Sequence, residues 1–335
     1  NPTAVAFPNN FEMDTTKIYE KALKVEKSNL KYKKAKDNFD RSKQPLPGAA
    51  ANLIIPTYWT KTLGNDLKVI GTYAEELPTV SIQLAVGAGH VFDPNEKAGL
   101  AALTAEMFKE STINNAGEVL SQALSNMGSR IDVNANATEI VFTISALVKN
   151  LDSTLVIFKE IFFTPVMDQD EFGKVKNKML QNIANQNMQA TAIANNSYTK
   201  FLYGNKHVFS TPIIGTSETV DRVSIEDVRK YFENYFSPNN STLIIVGQLK
   251  QEEALKKLSF LNDWKNKQLS FPKEGEIPNI EKTKIYFQHK DKAPQSEIRM
   301  GYLALPYQAT GDFYINTIMN FSFGGAFNSR INYLL

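Results

Sequence analysis

Three histidines, His90, His207 and His289, are the only imidazoles in this chain, and there is no cysteine. Without thiols there can be no disulfide, no thiolate nucleophile and no Cys-based zinc or iron–sulfur site. The histidines lie more than eighty positions apart. No two of them can therefore share a helix face at the i, i+3 or i+4 spacing that aims two imidazoles at one metal. Other common chemistries lack their motifs. Gly87-Ala88-Gly89 ends a strand-like run ahead of a helical one, as a dinucleotide loop does, but Phe92 stands where the third glycine belongs. Neither a Gly-x-Ser-x-Gly nucleophile turn nor a Gly-Lys-Ser/Thr phosphate loop occurs. Asn195-Asn196-Ser197 and Asn239-Asn240-Ser241 match the glycosylation acceptor, a pattern too short to decide anything.

Any site must then be set up by the elements around it. With 42% hydrophobic and 21% charged residues over 335 positions, the chain has enough apolar material for two globular units. Lys plus Arg number 37 against 35 Asp plus Glu, a balance with no field for nucleic acid or an anionic membrane. No apolar run reaches the roughly 20 residues of a membrane span, and the first ten residues lack signal-peptide character. The chain begins without Met, as a processed product or fragment does, so the compartment stays open. An exported or periplasmic location is compatible with a signal segment removed before residue 1.

Residues 14–42 are Lys-rich with interspersed acids and precede the breaker QPLPG, which reads as a charged helical linker or extension over 1–51. From residue 58 apolar alternation predicts strands, ending in TVSIQLAVGAG, followed by amphipathic helices over 97–110 and 116–127. Strands SRIDVNA and TEIVFTISAL come next, then helices near 151–163, 168–202 and 224–235, strand 241–247 and helix 251–261. The order predicts an α+β fold, with an antiparallel or mixed sheet and helices packed on one face, over 52–265. A polar, Pro-bearing stretch follows. KIYFQHK, SEIRMGYLALP and a helix from about 311 then repeat strand, strand and helix, which reads as the truncated beginning of a second similar domain over 266–335.

The string AGLAALTAEMFKEST at 98–112 closely resembles the zinc-motif helix of the pitrilysin/insulinase family of inverted zinc metallopeptidases. Further matches follow in family order. They are Gly128 with Ile131, Asp132 and Val133; Tyr203-Gly204 with Pro212 and Ile214-Gly215; YFENYFSPNN from Tyr231; Gln295-Ser296-Glu297-Ile298; and Gly324-Gly325-Ala326-Phe327-Asn328-Ser329-Arg330. The resemblance runs from about 52 to 335.

The resemblance implies His-x-x-Glu-His on that helix in active members, two imidazoles on zinc and a glutamate that activates its water. Those places hold Ala102, Ala105 and Glu106 here, and the third ligand's neighbourhood in the long helix is Gln181-Asn182. Three of the four positions, Ala102, Ala105 and Asn182, cannot serve, and Glu106 alone cannot hold zinc. The expectation is no metal and no catalytic residue in this chain, which would be inactive alone. The family pairs catalytic and degenerate halves, fused or separate, around a peptide-sized chamber. The implied function is the non-catalytic half or subunit, one wall of that chamber, assisting a partner that bears His-x-x-Glu-His and the zinc. Asp132, Val133 and Asn134 fall on the strand equivalent to the family's peptide-binding edge, and Arg330 could meet a peptide carboxylate. An Arg/Tyr pair that related halves send to the partner's site would come after Leu335. The alternative is a structural scaffold, like the degenerate core subunits of respiratory complexes.

Overall fold

A computed structural model describes residues 55–334 apart from 273, 274, 280, 309 and 310, together with 40, 42, 43, 46 and 48. The charged helix expected over 14–42, and the rest of the 1–51 extension, lie outside the described residues but for those single positions.

Strands β1 (Trp59–Thr62), β2 (Lys68–Tyr73) and β3 (Thr79–Val86) open the fold. Helices α1 (Leu100–Met107) and α2 (Gly117–Asn126) separate them from β4 (Arg130–Ala135) and β5 (Ile140–Leu147). Then come α3 (Leu151–Phe163), α4 (Gln169–Asn187), α5 (Ala190–Tyr203), α6 (Ser217–Asp221) and α7 (Ile225–Tyr235). Strand β6 (Ser241–Gly247) and α8 (Gln251–Lys257) come next. The six strands form one mixed sheet in the order β1-β2-β6-β3-β5-β4. Only the β2–β6 pairing is parallel. Helix α1 fills the connection from β3 toward the β4 edge, and β6 returns to the middle.

Period-two alternation decides which face is buried. In β3, Val80, Ile82, Leu84 and Val86 are buried while Thr79 and Gln83 are exposed. The register aligns Ile82 with Ile144 of β5 and Ile245 of β6, a row of branched side chains facing the helices. Phe142 sits at the centre of this core. Its ring meets Phe108 edge-on at 4.9 Å and Phe162 of α3 at 5.2 Å, and Trp264 closes on Phe162 at 4.9 Å. No described helix is long and apolar enough to cross a membrane.

Two local expectations are corrected. The single helix expected over 168–202 breaks at Gln189, which is extended (φ −94°, ψ 124°). The apolar stripe Phe172, Val175, Met179 and Ile183 ends there; Gln186 and Asn187 offer nothing to bury, and α5 has no fully buried residue. The strands expected in 284–306 are not formed, because no described segment pairs with them and alternating residues such as Ile285 and Phe287 are 95% and 88% exposed. This segment instead touches α5. Tyr286 stacks on Phe201 with centroids 3.8 Å apart, Thr191 donates to Glu297 at 3.0 Å, and Arg299 donates to Asn195 at 2.8 Å. Helices α9 (Asp312–Asn320) and α10 (Arg330–Leu334) follow.

Candidate functional site

The start of α1 is held from several sides, and the residues holding it are largely those of the sequence signatures. Asp93 accepts the backbone N–H groups of Gly99 (2.9 Å) and Ala101 (2.8 Å), using both carboxyl oxygens to satisfy donors that a helix start leaves free. His90 Nδ1 lies 2.9 Å from the same carboxyl group. Its Nε2 lies 3.1 Å from the carbonyls of Val208 and Thr211, so the ring joins α1 to the turn after α5. Both side chains are buried. Gly99 (φ +100°) and Gly215 (φ +77°) pack back to back. A Cβ on Gly215 would stand 2.2 Å from the Ala98 carbonyl oxygen and one on Gly99 would stand 2.8 Å from the Ile214 carbonyl oxygen, which explains why the Ala-Gly-Leu-Ala and Pro-x-x-Gly signatures each carry a glycine where they meet. Thr219 of α6 donates to the Ala98 carbonyl at 2.8 Å.

The signature at 231–240 contacts the strand end just before α1. Tyr231 donates its phenol to the Gly89 carbonyl at 2.8 Å, and Asn240 donates to the Gly87 carbonyl at 2.5 Å. Burial pushes the Tyr231 phenol well above its ordinary range, with the nearby charge of Asp93 adding to the effect. Burial likewise lifts the Asp93 carboxyl above its ordinary value, outweighing the His90 partnership and the two amides.

The face of α1 thus positioned presents two buried alanines and one half-buried carboxylate. Ala102 is 6% exposed and Ala105 is 1% exposed. Glu106 is half-buried, and two lysines converge on its carboxylate. Lys109 lies 2.5 Å from Oε1, and Lys178 of α4 lies 3.8 Å from Oε2. Lys109 also reaches Asn134 Oδ1 of β4 at 3.5 Å. Asn182 is exposed, one helical turn beyond Lys178. Among the described residues no three His, Asp or Glu side chains gather as a metal site would require. An ammonium can donate hydrogen bonds and neutralise a carboxylate, but it has no open coordination position with which to acidify a water.

Strand β4 pairs only with β5, so its other edge is free of any described strand. Val133 points into the core at 1% exposure, leaving its main chain alone at the edge. Asn134 is exposed, and Asp132 is half-buried and ion-paired with Arg130. Arg330 is exposed at the start of α10, and no described carboxylate lies within ion-pair reach of it. No hydrogen bond or ion pair among the described residues joins Arg330 to α1, α4 or β4. The structure therefore brings Glu106 and Asn134 together through Lys109, and leaves Arg330 apart from them. Reading the sequence missed both lysines and the His90–Asp93 pair. Lys178 is too distant in sequence from Glu106 to signal a contact. Asp93 carried a readable hint, an acid shortly before a helix start.

Comparison with known proteins places this arrangement. A model of the insulinase family, peptidase family M16, matches residues 68–216, and one of the peptidase M16 inactive domain matches 222–333. A relative from Helicobacter pylori, named non-peptidase homolog YmxG, is 24% identical over 278 residues, covering 80% of this chain and 62% of the relative. The chain thus spans less than two thirds of the length of this relative. Two solved structures share the fold. A peptidase M16 inactive domain from Pseudomonas fluorescens has a TM-score of 0.61 at 21% identity, over 66% of this chain and 54% of that one. The periplasmic protease PqqL from Escherichia coli has a TM-score of 0.60 at 20% identity, over 68% and 26%. The two family models lie nearly end to end over most of the sequence, on a six-stranded fold whose signature residues meet around one helix: the chain belongs to the insulinase family, peptidase family M16.

Proposed function

We propose that this chain is the non-catalytic half of a zinc-dependent peptidase. It forms one wall of a peptide chamber and assists substrate binding, while a partner bearing His-x-x-Glu-His supplies the metal and the general base. The observation that carries this reading is the face of α1. Ala102 and Ala105 stand where two of the three motif residues would be, and Glu106 is held by Lys109 and Lys178. The name of the Helicobacter pylori relative, a non-peptidase homolog, supports it. The free edge of β4 suits an extended peptide, because main-chain hydrogen bonds to an added strand hold many sequences. On this reading residues 52–265 are the first domain, 266–335 begin a second of the same kind, and 1–51 link this half to what precedes it.

The test is reconstitution. The purified chain should bind no zinc and cleave no unfolded peptide alone. Co-purification from its source should yield a polypeptide with His-x-x-Glu-His, and the mixture should cleave peptides in a chelator-sensitive way. Near-stoichiometric zinc and turnover by the isolated chain would overturn the proposal. Capture of a membrane complex lacking that motif would favour the scaffold alternative instead.

A further inference from the structure

Glu106, Lys109, Lys178 and Asn134 form one polar group between α1, α4 and β4. Two ammoniums meet one carboxylate, leaving one positive charge in excess. Nearby on β4, Asp132 is already balanced by Arg130. Lys109 touches both α1, through Glu106, and the edge strand, through Asn134, so its ammonium stands beside the edge of β4 that no described strand pairs. Glu106 shows what this ammonium donates to: a carboxylate, supplied from within the chain.

We propose that Lys109, backed by Lys178, recognises an acidic side chain on an extended peptide lying along β4. The inference rests on the reading of β4 as a peptide edge and names the substrate class that edge prefers. A peptide strand paired with β4 near Asn134 carries its side chains past Lys109. An aspartate or glutamate there can share or replace the contact with Glu106, exchanging carboxylate for carboxylate. A neutral amide must displace a charged group with an uncharged one, and a lysine brings a like charge to an already positive spot. The occupant is a side chain within the peptide rather than its C-terminus, because β4 offers six residues of edge along which a strand continues.

The test uses the full chain and fluorescein-labelled unstructured peptides that differ only at a central Glu, Gln or Lys, with affinity read by anisotropy. The Glu peptide should bind about fivefold more tightly than the Gln peptide at low salt. The Lys peptide should bind most weakly, and the differences should shrink in about 1 M salt, where screening acts within about 3 Å. Lys109→Glu should reverse the order, and Lys109→Arg should keep it. Equal affinity for Glu and Gln peptides in the parent overturns the acidic preference and leaves strand addition standing. An unchanged order in Lys109→Glu overturns the assignment to Lys109. Absence of binding by all three peptides overturns the peptide edge, and this inference with it.

Discussion

Replacing Asp93 by alanine tests whether the start of α1 is held as described. The change removes one acceptor from three buried donors or partners at once: the Gly99 and Ala101 amides and the His90 ring. A buried polar group left without its partner costs about 1–3 kcal/mol, and breaking a buried charged or charge-sharing pair costs about 3–5 kcal/mol. These contributions overlap, so we expect a loss of about 4 kcal/mol, a large part of the ~5–15 kcal/mol typical of a folded domain. Urea unfolding followed by circular dichroism reads it directly, and the melting temperature should fall by about 10 °C. Lys97→Ala is the comparison. Its ammonium bonds Asp227 at 2.6 Å but is partly exposed, so its loss should cost less than about 1 kcal/mol. Equal losses in the two variants would show that Asp93 does not hold the start of α1. Acidity gives a second reading. Burial raises the folded Asp93 carboxyl above its ordinary value of 3.8, so the folded state holds that proton more tightly than the unfolded state. Its contribution is complete below about pH 4 and is lost as pH rises through the folded value. Asp93→Asn cannot titrate. The stability of the parent relative to this variant should therefore decline as pH rises above about 4; a rise instead would show that burial does not hold the proton on the folded carboxyl.

Two further predictions follow from the same helix. Gly215→Ala places a methyl group 2.2 Å from the Ala98 carbonyl oxygen on a residue at φ +77°, so a loss of about 2–3 kcal/mol is expected in the same urea assay. A near-neutral result would mean the 212–215 turn can move off α1. Combining Ala102→His, Ala105→Glu, Glu106→His and Asn182→Glu rebuilds the ligand pattern on helices already in contact. The variant should take up zinc that the parent does not, measured by metal analysis after dialysis; failure to bind would show that α4 and α1 are not aligned for shared ligation.

Much of the sheet was readable because its strands alternate strictly or run apolar. The strand 241–247 and the helix 151–163 lie where expected, and β3, β5 and α1 fall within their predicted ranges. What failed was what depends on distant partners. The pattern over 168–202 reads as one helix, yet its buried stripe stops at Ile183, and polar residues such as Gln186 and Asn187 suit an exposed helical turn as well as a break. The segments in 284–306 have strand-like alternation, but a strand exists only with a neighbour to bond. At the candidate site, the substitutions at Ala102, Ala105 and Glu106 could be read from the motif, since helical spacing alone fixes their common face. The convergence of Lys109 and Lys178 on Glu106 could not, because it depends on how α4 lies against α1. The signatures themselves read as chemistry and prove architectural: Gly99, Gly215, Tyr231 and Asn240 anchor the helix whether or not it carries a metal.

Strand β6 enters the sheet between β2 and β3, pairing Lys68 with Thr242 on one side and Val86 with Ser241 on the other. During synthesis, β1 and β2 must therefore wait through the whole intervening stretch before their permanent neighbour leaves the ribosome. A nascent chain halted before residue 241 exposes β2 and β3 as two raw edges, the condition under which chaperones or aggregation compete with folding. Closure by so late a strand makes completion of the sheet a slow step, since such distant pairing is the last to be rewarded.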